Sequence, residues 1–239
     1  MAFDYKPRPA RGGPMSRIAR FIGKAIIWFL LISIGMTVIY KFVPPPVTLT
    51  MLLDSEGFTK DWTPLSRIDR NMVVAVIAAE DGKFCSHDGF DREAIEKAME
   101  RNADGGRLRG GSTISQQTAK NVFLWQGTGW TRYLRKGLET WFTLLIETVW
   151  DKRRIMEVYL NVAETGIGTY GVEAGAQRYY KKSAARLSAV EAARIAAALP
   201  SPKRRGVTNA KGYTRRYGNT IAARIRVVKR DGLDSCVYE

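Results

Sequence analysis

The residues in this chain whose types and spacing could do chemistry are an acidic pair and a run of cations. Glu80 and Asp81 close an apolar run in "AAEDGKFCSHDGFD" (78–91), just ahead of Phe84 and the only histidine, His87. A carboxylate at the C-terminal end of an apolar helix meets partial negative charge and desolvation, and Asp81 adds a like charge. All three raise the pKa of Glu80 toward that of a useful general base. From Gly105 to Leu138 the chain carries Arg107, Arg109, Lys120, Arg132, Arg135 and Lys136 and no acid. Taken alone, such a stretch is a solvated face more often than a site. It also contains a Gly-rich loop, "DGGRLRGGST" (104–113), before a helix N-terminus, an arrangement that can offer backbone N–H groups to a phosphate. Glu139 ends the run, either pairing with Arg135 four residues back or facing the same cavity as Glu80.

The elements that must position these groups read as helices. "MVVAVIAAE" (72–80) suits a strand or a buried helix, and its alanines favour helix. "DREAIEKAMERN" (91–102) places Ile95, Ala98 and Met99 on one face. Thr113 with Gln116 has capping-box spacing for the next helix, on which Gln116, Gln117 and Lys120 would lie, Gln116 and Lys120 one turn apart. "GLETWFTLLIETVW" (137–150) is apolar almost all round and is expected as a central buried helix. Asp151 can cap "KRRIMEVYLN", while Ser188 and Glu191 form a second capping box before a helix that Pro200 ends. No run alternates with period two, so the domain is expected to be mostly α. "GIGTYG" (166–171), with Glu191 further on, matches a dinucleotide fingerprint in letters only, because it follows a helix and no βαβ unit surrounds it. Cys85 and Cys236 could pair in an oxidising compartment, although sequence does not show that they meet; no metal-ligand spacing appears.

The 239 residues carry a net charge of +15, unevenly spread. Residues 1–24 hold six Lys/Arg against one acid, and residues 203–230 hold ten against none, while the stretch between is nearly balanced. Basic flanks of this kind suit an anionic surface better than a uniformly basic nucleic-acid binder would. Residues 25–40, "AIIWFLLISIGMTVIY", carry no charge. Snorkelling of Lys24 extends the run to a membrane span over 21–43. The positive-inside rule then predicts a cytoplasmic N-terminus with everything after Lys41 outside. The expected layout is a basic tail (1–20), the anchor (21–43), a Pro44–Pro46 stalk and linker (44–59), a domain over 60–230 and a C-terminal tail (231–239).

"AAEDGKFCSHDGFD", "GGSTISQQTAKNVFL", "RKGLE" and "KRRIMEVYLNVAETGIGTYGVEAGAQRYY" resemble, in order and spacing, the successive motifs of the peptidoglycan glycosyltransferases, glycosyltransferase family fifty-one. The resemblance covers about residues 60 to 202 and leaves no room for a penicillin-binding transpeptidase module after it. It departs from the family at Thr131, where members often carry Arg and Arg132 stands one place later, and at Ser115, where Thr is frequent. It implies a lysozyme-like glycosyltransferase domain behind one transmembrane helix. The implied reaction polymerises lipid II into β-1,4 glycan with inversion and release of undecaprenyl diphosphate. Glu80 would be the general base, and Glu139 would shape the donor and leaving-group side. Lys120, Arg135 and Lys136, with Arg132, would hold the diphosphate, and Ser112, Gln116 and Gln117 would position it or the sugar. His87 would order its loop rather than catalyse, and Phe84 would anchor that loop from beneath.

The implied partners are lipid II, the lipid-linked glycan chain and the bacterial inner membrane, with no nucleic acid. No cofactor is required, and the residues decide neither magnesium dependence nor protein partners in the wall machinery. Two other readings stay open: a lysozyme-like hydrolase or lytic transglycosylase, and a non-catalytic anchored binder of anionic polymer. Cleavage of uncharged glycan makes no diphosphate, so the cationic segment argues against the first. Only the basic flanks support the second.

Overall fold

The computed structural model describes residues 14–103, 111–127 and 129–238. Arg107 and Arg109, with most of the Gly-rich loop, lie outside them. Helix α1, Pro14–Phe42, takes in the apolar run together with Arg17, Arg20 and Lys24, so residues 14–20 are helical rather than part of a tail. At ~1.5 Å per residue its 29 residues run about 43 Å, enough to cross a hydrocarbon core of about 30 Å. Its most apolar 18-residue stretch has a mean hydropathy of 2.1, which suits a span, and only the C-terminal part packs on the rest of the chain.

The expected stalk is docked. Lys60 Nζ donates to the carbonyls of Pro45 and Pro46, and the Arg154 guanidinium donates to the carbonyls of Tyr40 and Val43 at 2.7–3.0 Å. Helix α2, Leu49–Leu52, then buries Met51 in the core, and Thr50 Oγ1 donates to the Leu124 carbonyl at 3.2 Å. Spacing within the linker gave no sign of this, because the partners come from residues 60, 124 and 154.

Helix α3, Arg70–Glu80, is capped by Asp69 and buries every side chain from Met72 to Ile77. After α4, Arg92–Ala103, helix α5, Ile114–Phe123, opens on the Thr113–Gln116 capping box. Helix α6, Thr131–Val149, corrects the expectation of a helix buried all round: Glu139, Phe142, Thr143 and Ile146 face inward while Leu134 and Leu144 are exposed. Helix α1 covers part of its flank. Trp141 Nε1 donates to Ser33 Oγ at 3.2 Å and Trp150 Nε1 to the Thr37 carbonyl at 2.7 Å.

Helix α7, Lys152–Val162, is capped by Asp151 as expected. Three short strands, β1 (Thr59–Lys60), β2 (Glu164–Gly166) and β3 (Thr169–Tyr170), form a sheet of order β1-β3-β2. The "GIGTYG" glycines serve this turn. Gly168 has φ +59°, and a Cβ there would lie 2.8 Å from the Gly57 carbonyl oxygen, so neither the backbone nor the space admits a side chain. Helix α8, Val172–Tyr180, precedes α9, Ala189–Ala198, which opens on the Ser188–Glu191 box. The small residues of α9 let α10, Gly212–Arg230, approach closely, with Gly218 against Ala197.

The expected C-terminal tail is structured as well. Asp234 is fully buried and takes a bidentate pair from Arg70 at 2.7 and 2.9 Å, and helix α11, Ser235–Tyr238, carries Cys236 into a disulfide with Cys85. That bond closes a 151-residue separation, so its loss relieves a large constraint on the unfolded chain. Cys236→Ser is expected to lower stability by about 2–4 kcal/mol. Thermal unfolding of purified protein checks this: reductant should bring wild type to the mutant's value and leave the mutant unmoved.

Candidate active site

Glu80 is the last residue of α3, partly buried, in an environment that favours its neutral form. Burial pushes its pKa up. The Gln117 hydrogen bond and the charges of Arg205 and Lys120 oppose the rise, and Asp81 adds to it least. Gln117 Nε2 donates to Glu80 Oε2 at 2.8 Å, and Tyr159 OH lies 3.4 Å from Gln117 Oε1. Glu80 Oε1 is buried with no hydrogen-bond partner. One carboxylate oxygen is therefore held while the other is left open to take a proton.

Asp81 does different work. One of its oxygens accepts from the Ile114 backbone N–H at 2.9 Å, and both accept from His87 Nε2 at 3.0–3.1 Å. His87 Nδ1 accepts from the Gly89 N–H at 3.1 Å, which assigns the ring proton to Nε2. His87 thus ties its loop to the end of α3 and the start of α5. Phe84 is fully buried beneath, with Lys152 Nζ 4.8 Å from its ring centroid. Gly89 is obligatory: its φ is +91°, and a Cβ would meet Thr143 Cγ2 at 2.8 Å.

The cations gather on the other side. Arg135 Nη1 pairs with Glu139 Oε2 at 2.7 Å, Lys136 Nζ pairs with Glu139 Oε1 at 2.5 Å, and Lys136 reaches Ser112 Oγ at 3.3 Å. Glu139 is 3% exposed, so it anchors two cations from below. Arg135 Nε is buried without a partner, leaving a donor open. Lys120 senses Glu139 and Glu80 through space; burial lowers its pKa, and Arg135 and Lys136 lower it further.

The two glutamines expected to position substrate part company. Gln117 reaches Glu80, and with Lys120 and Tyr159 it lines a cavity of about 510 Å³. Gln116 caps its own helix: it is 3% exposed, and its Oε1 accepts from the Thr113 N–H at 3.1 Å. Arg132 stands exposed, one helical turn before Arg135 and Lys136. Sequence reasoning missed Tyr159 and Arg205, whose proximity to Glu80 arises from α7 and from the loop before α10. Among the described residues, no group of three His, Cys, Asp or Glu side chains is arranged to hold a metal.

A base with one unpartnered oxygen, coupled through Lys120 to cations fixed on a buried carboxylate, can deprotonate a hydroxyl while an anionic leaving group departs. If Glu80 is that base, the acidic limb of kcat/KM should lie above the ordinary carboxylate range, because its raised pKa leaves it protonated at higher pH. The alkaline limb, set by Lys120, should fall earlier than for an ordinary lysine, whose pKa is not lowered. A pH–rate profile with an acidic limb near 4.5, the unperturbed glutamate value, would contradict the first expectation.

Such an arrangement suits a transferase that activates a hydroxyl and releases an anion. A family model described as Transglycosylase matches residues 48–226. The chain is 50% identical to the biosynthetic peptidoglycan transglycosylase of Caulobacter vibrioides over 215 residues, 87% of this chain and 93% of that one. Proteins of the same name from Rhodospirillum centenum (45% identity, 93% and 97% covered) and Bdellovibrio bacteriovorus (47%, 87% and 87%) are similarly related. The chain belongs to the transglycosylase family and is a peptidoglycan glycosyltransferase.

Proposed function

We propose that this glycosyltransferase polymerises lipid II into peptidoglycan strands for cell-wall synthesis. The 4-hydroxyl of one GlcNAc attacks the anomeric carbon of the chain's terminal MurNAc. Glu80 Oε1 takes the hydroxyl proton, the C1–O bond to phosphate breaks, and undecaprenyl diphosphate leaves with the electron pair. The α-linked phosphate becomes a β-1,4 glycoside. Lys120, Arg135 and Lys136 stabilise charge on the departing diphosphate, and Ser112 orients Lys136. The observation that carries this reading is the unpartnered Glu80 oxygen, coupled through Lys120 to the cations held on Glu139. Hydrolysis of an uncharged glycan has no use for that cation set.

Incubation of the full chain with lipid II tests the reading. Long glycan with released lipid diphosphate is expected, while soluble cleavage fragments from preformed glycan would point to a hydrolase and no turnover to a binder.

The same reading puts α1 across the bacterial inner membrane with the N-terminus cytoplasmic and the catalytic domain periplasmic, supported by Arg17, Arg20 and Lys24 at the N-terminal end of the helix. The exposed Trp130, Tyr133 and Leu134 at the start of α6 suit a site served by a lipid-borne substrate. Protease added to spheroplasts should digest the domain and spare an N-terminal tag; digestion of the tag alone would reverse the topology.

A further inference from the structure

The cavity lined by Gln117, Lys120 and Tyr159 also holds a charged group the reaction above does not use. Asp54, Glu164, Tyr170 and Lys203 line it as well, together with Asn121 and Gln126. Asp54 is fully engaged. Its Oδ1 accepts from Lys203 Nζ at 2.8 Å and from the Glu56 N–H at 3.1 Å, and its Oδ2 accepts from Tyr170 OH at 2.7 Å. Glu164, the first residue of β2, is engaged only in part, with the Gly168 backbone and the Lys203 charge supporting its carboxylate. Its Oε1 is buried without a hydrogen-bond partner, and Lys203 Nζ, held by Asp54, stops 3.8 Å away. That distance supplies charge support and leaves the acceptor unfilled. Buried carboxylate oxygens are rarely left so without a reason. The other such oxygen among the described residues belongs to Glu80, where the open position serves the reaction.

The neighbours select what could fill it. An anionic ligand would meet Glu164 and Asp54, with Lys203 already paired. An ammonium would sit against Lys203. A neutral O–H or N–H meets neither penalty and gains a charge-assisted hydrogen bond. A cavity of about 510 Å³ lies within the usual size for small-molecule sites.

We propose that Glu164 is a sugar-binding residue, its Oε1 accepting a hydroxyl or acetamido N–H from a saccharide unit adjoining the one that reacts at Glu80. Lys203, itself held by Asp54, is the cation beside that carboxylate. The proposal rests on the glycosyl-transfer reading and specifies the substrate part that occupies the cavity at Glu164.

The test uses the full chain in detergent and a neutral β-1,4 N-acetylglucosamine tetrasaccharide, with binding measured by calorimetry. Glu164→Ala should weaken binding about tenfold or more, the scale of one charge-assisted hydrogen bond. The isosteric Glu164→Gln, which keeps an acceptor without charge, should fall between Ala and wild type. With lipid II, Glu164→Ala should raise KM by a similar factor and change kcat less than about threefold, as expected when an interaction is made equally in ground and transition states. Equal tetrasaccharide affinity in wild type and both variants, or no binding by wild type, would overturn the proposal. Glu80→Gln separates it from the reading beneath it. A fully active Glu80→Gln protein would remove the catalytic assignment, and tetrasaccharide binding that still depends on Glu164 would survive it.

Discussion

A folded Glu80→Gln protein should lose at least ~10²-fold in turnover, the usual range for removal of a general base. The substitution keeps the shape of the side chain and can retain a bond to Gln117, whose amide can reverse to donate or accept. What disappears is the basicity of the oxygen that carries no hydrogen bond. The loss should therefore appear in kcat at saturating lipid II, with KM close to wild type. Its pH profile should also lose the acidic limb assigned to Glu80. Single-turnover glycan formation by the purified variant measures this directly. Near-normal polymerisation with an intact acidic limb would transfer the base role elsewhere. Asp81 would be a poor replacement, because His87 and the Ile114 N–H already occupy its oxygens.

Lys120→Met should cost turnover on a comparable scale, about 10²–10³-fold, as when a donor to developing negative charge is removed from a shielded site. Arg135 and Lys136 each share charge with Glu139, whereas Lys120 lies between Glu139 and Glu80 and interacts with both through space. Lys136→Met should act in the same sense but more weakly, because Lys136 is 47% exposed on its side chain and already paired. Only interactions stronger in the transition state accelerate chemistry, so both variants should lower kcat by a larger factor than they change KM. Neutralising Arg215 or Arg226, exposed on α10, should do the reverse, and added salt should mimic that loss. Retention of the full saturated rate in Lys120→Met, with only KM raised, would leave Lys120 a general attractor of anions.

Much of this molecule follows from short-range rules that a single chain displays. The Thr113–Gln116 and Ser188–Glu191 boxes and the Asp151 cap formed as their spacing required, because a cap involves residues three apart and no tertiary partner. The uncharged run after Lys24 is long and apolar enough to span whatever packs beside it. Glu80 at the end of an apolar helix, and Arg135 four residues before Glu139, were likewise local facts. The α6 expectation failed in part because composition records how many apolar residues a helix holds, not which of its faces another element covers.

Tertiary structure decided what depends on distant chain segments meeting. Two adjacent glutamines look interchangeable in "SQQ", yet the helix rotates Gln116 into its own cap and Gln117 onto Glu80. Cys85 reaches Cys236 across 151 residues, and the linker is fastened by Arg154 and Lys60. Asp54, Glu164 and Lys203 converge from three separate segments on one cavity wall. No period or motif relates such residues, because their proximity follows from how the helices pack. The sequence by itself determined the helices, the anchor and the acid–base chemistry within reach; packing determined which oxygen of each buried carboxylate stays open.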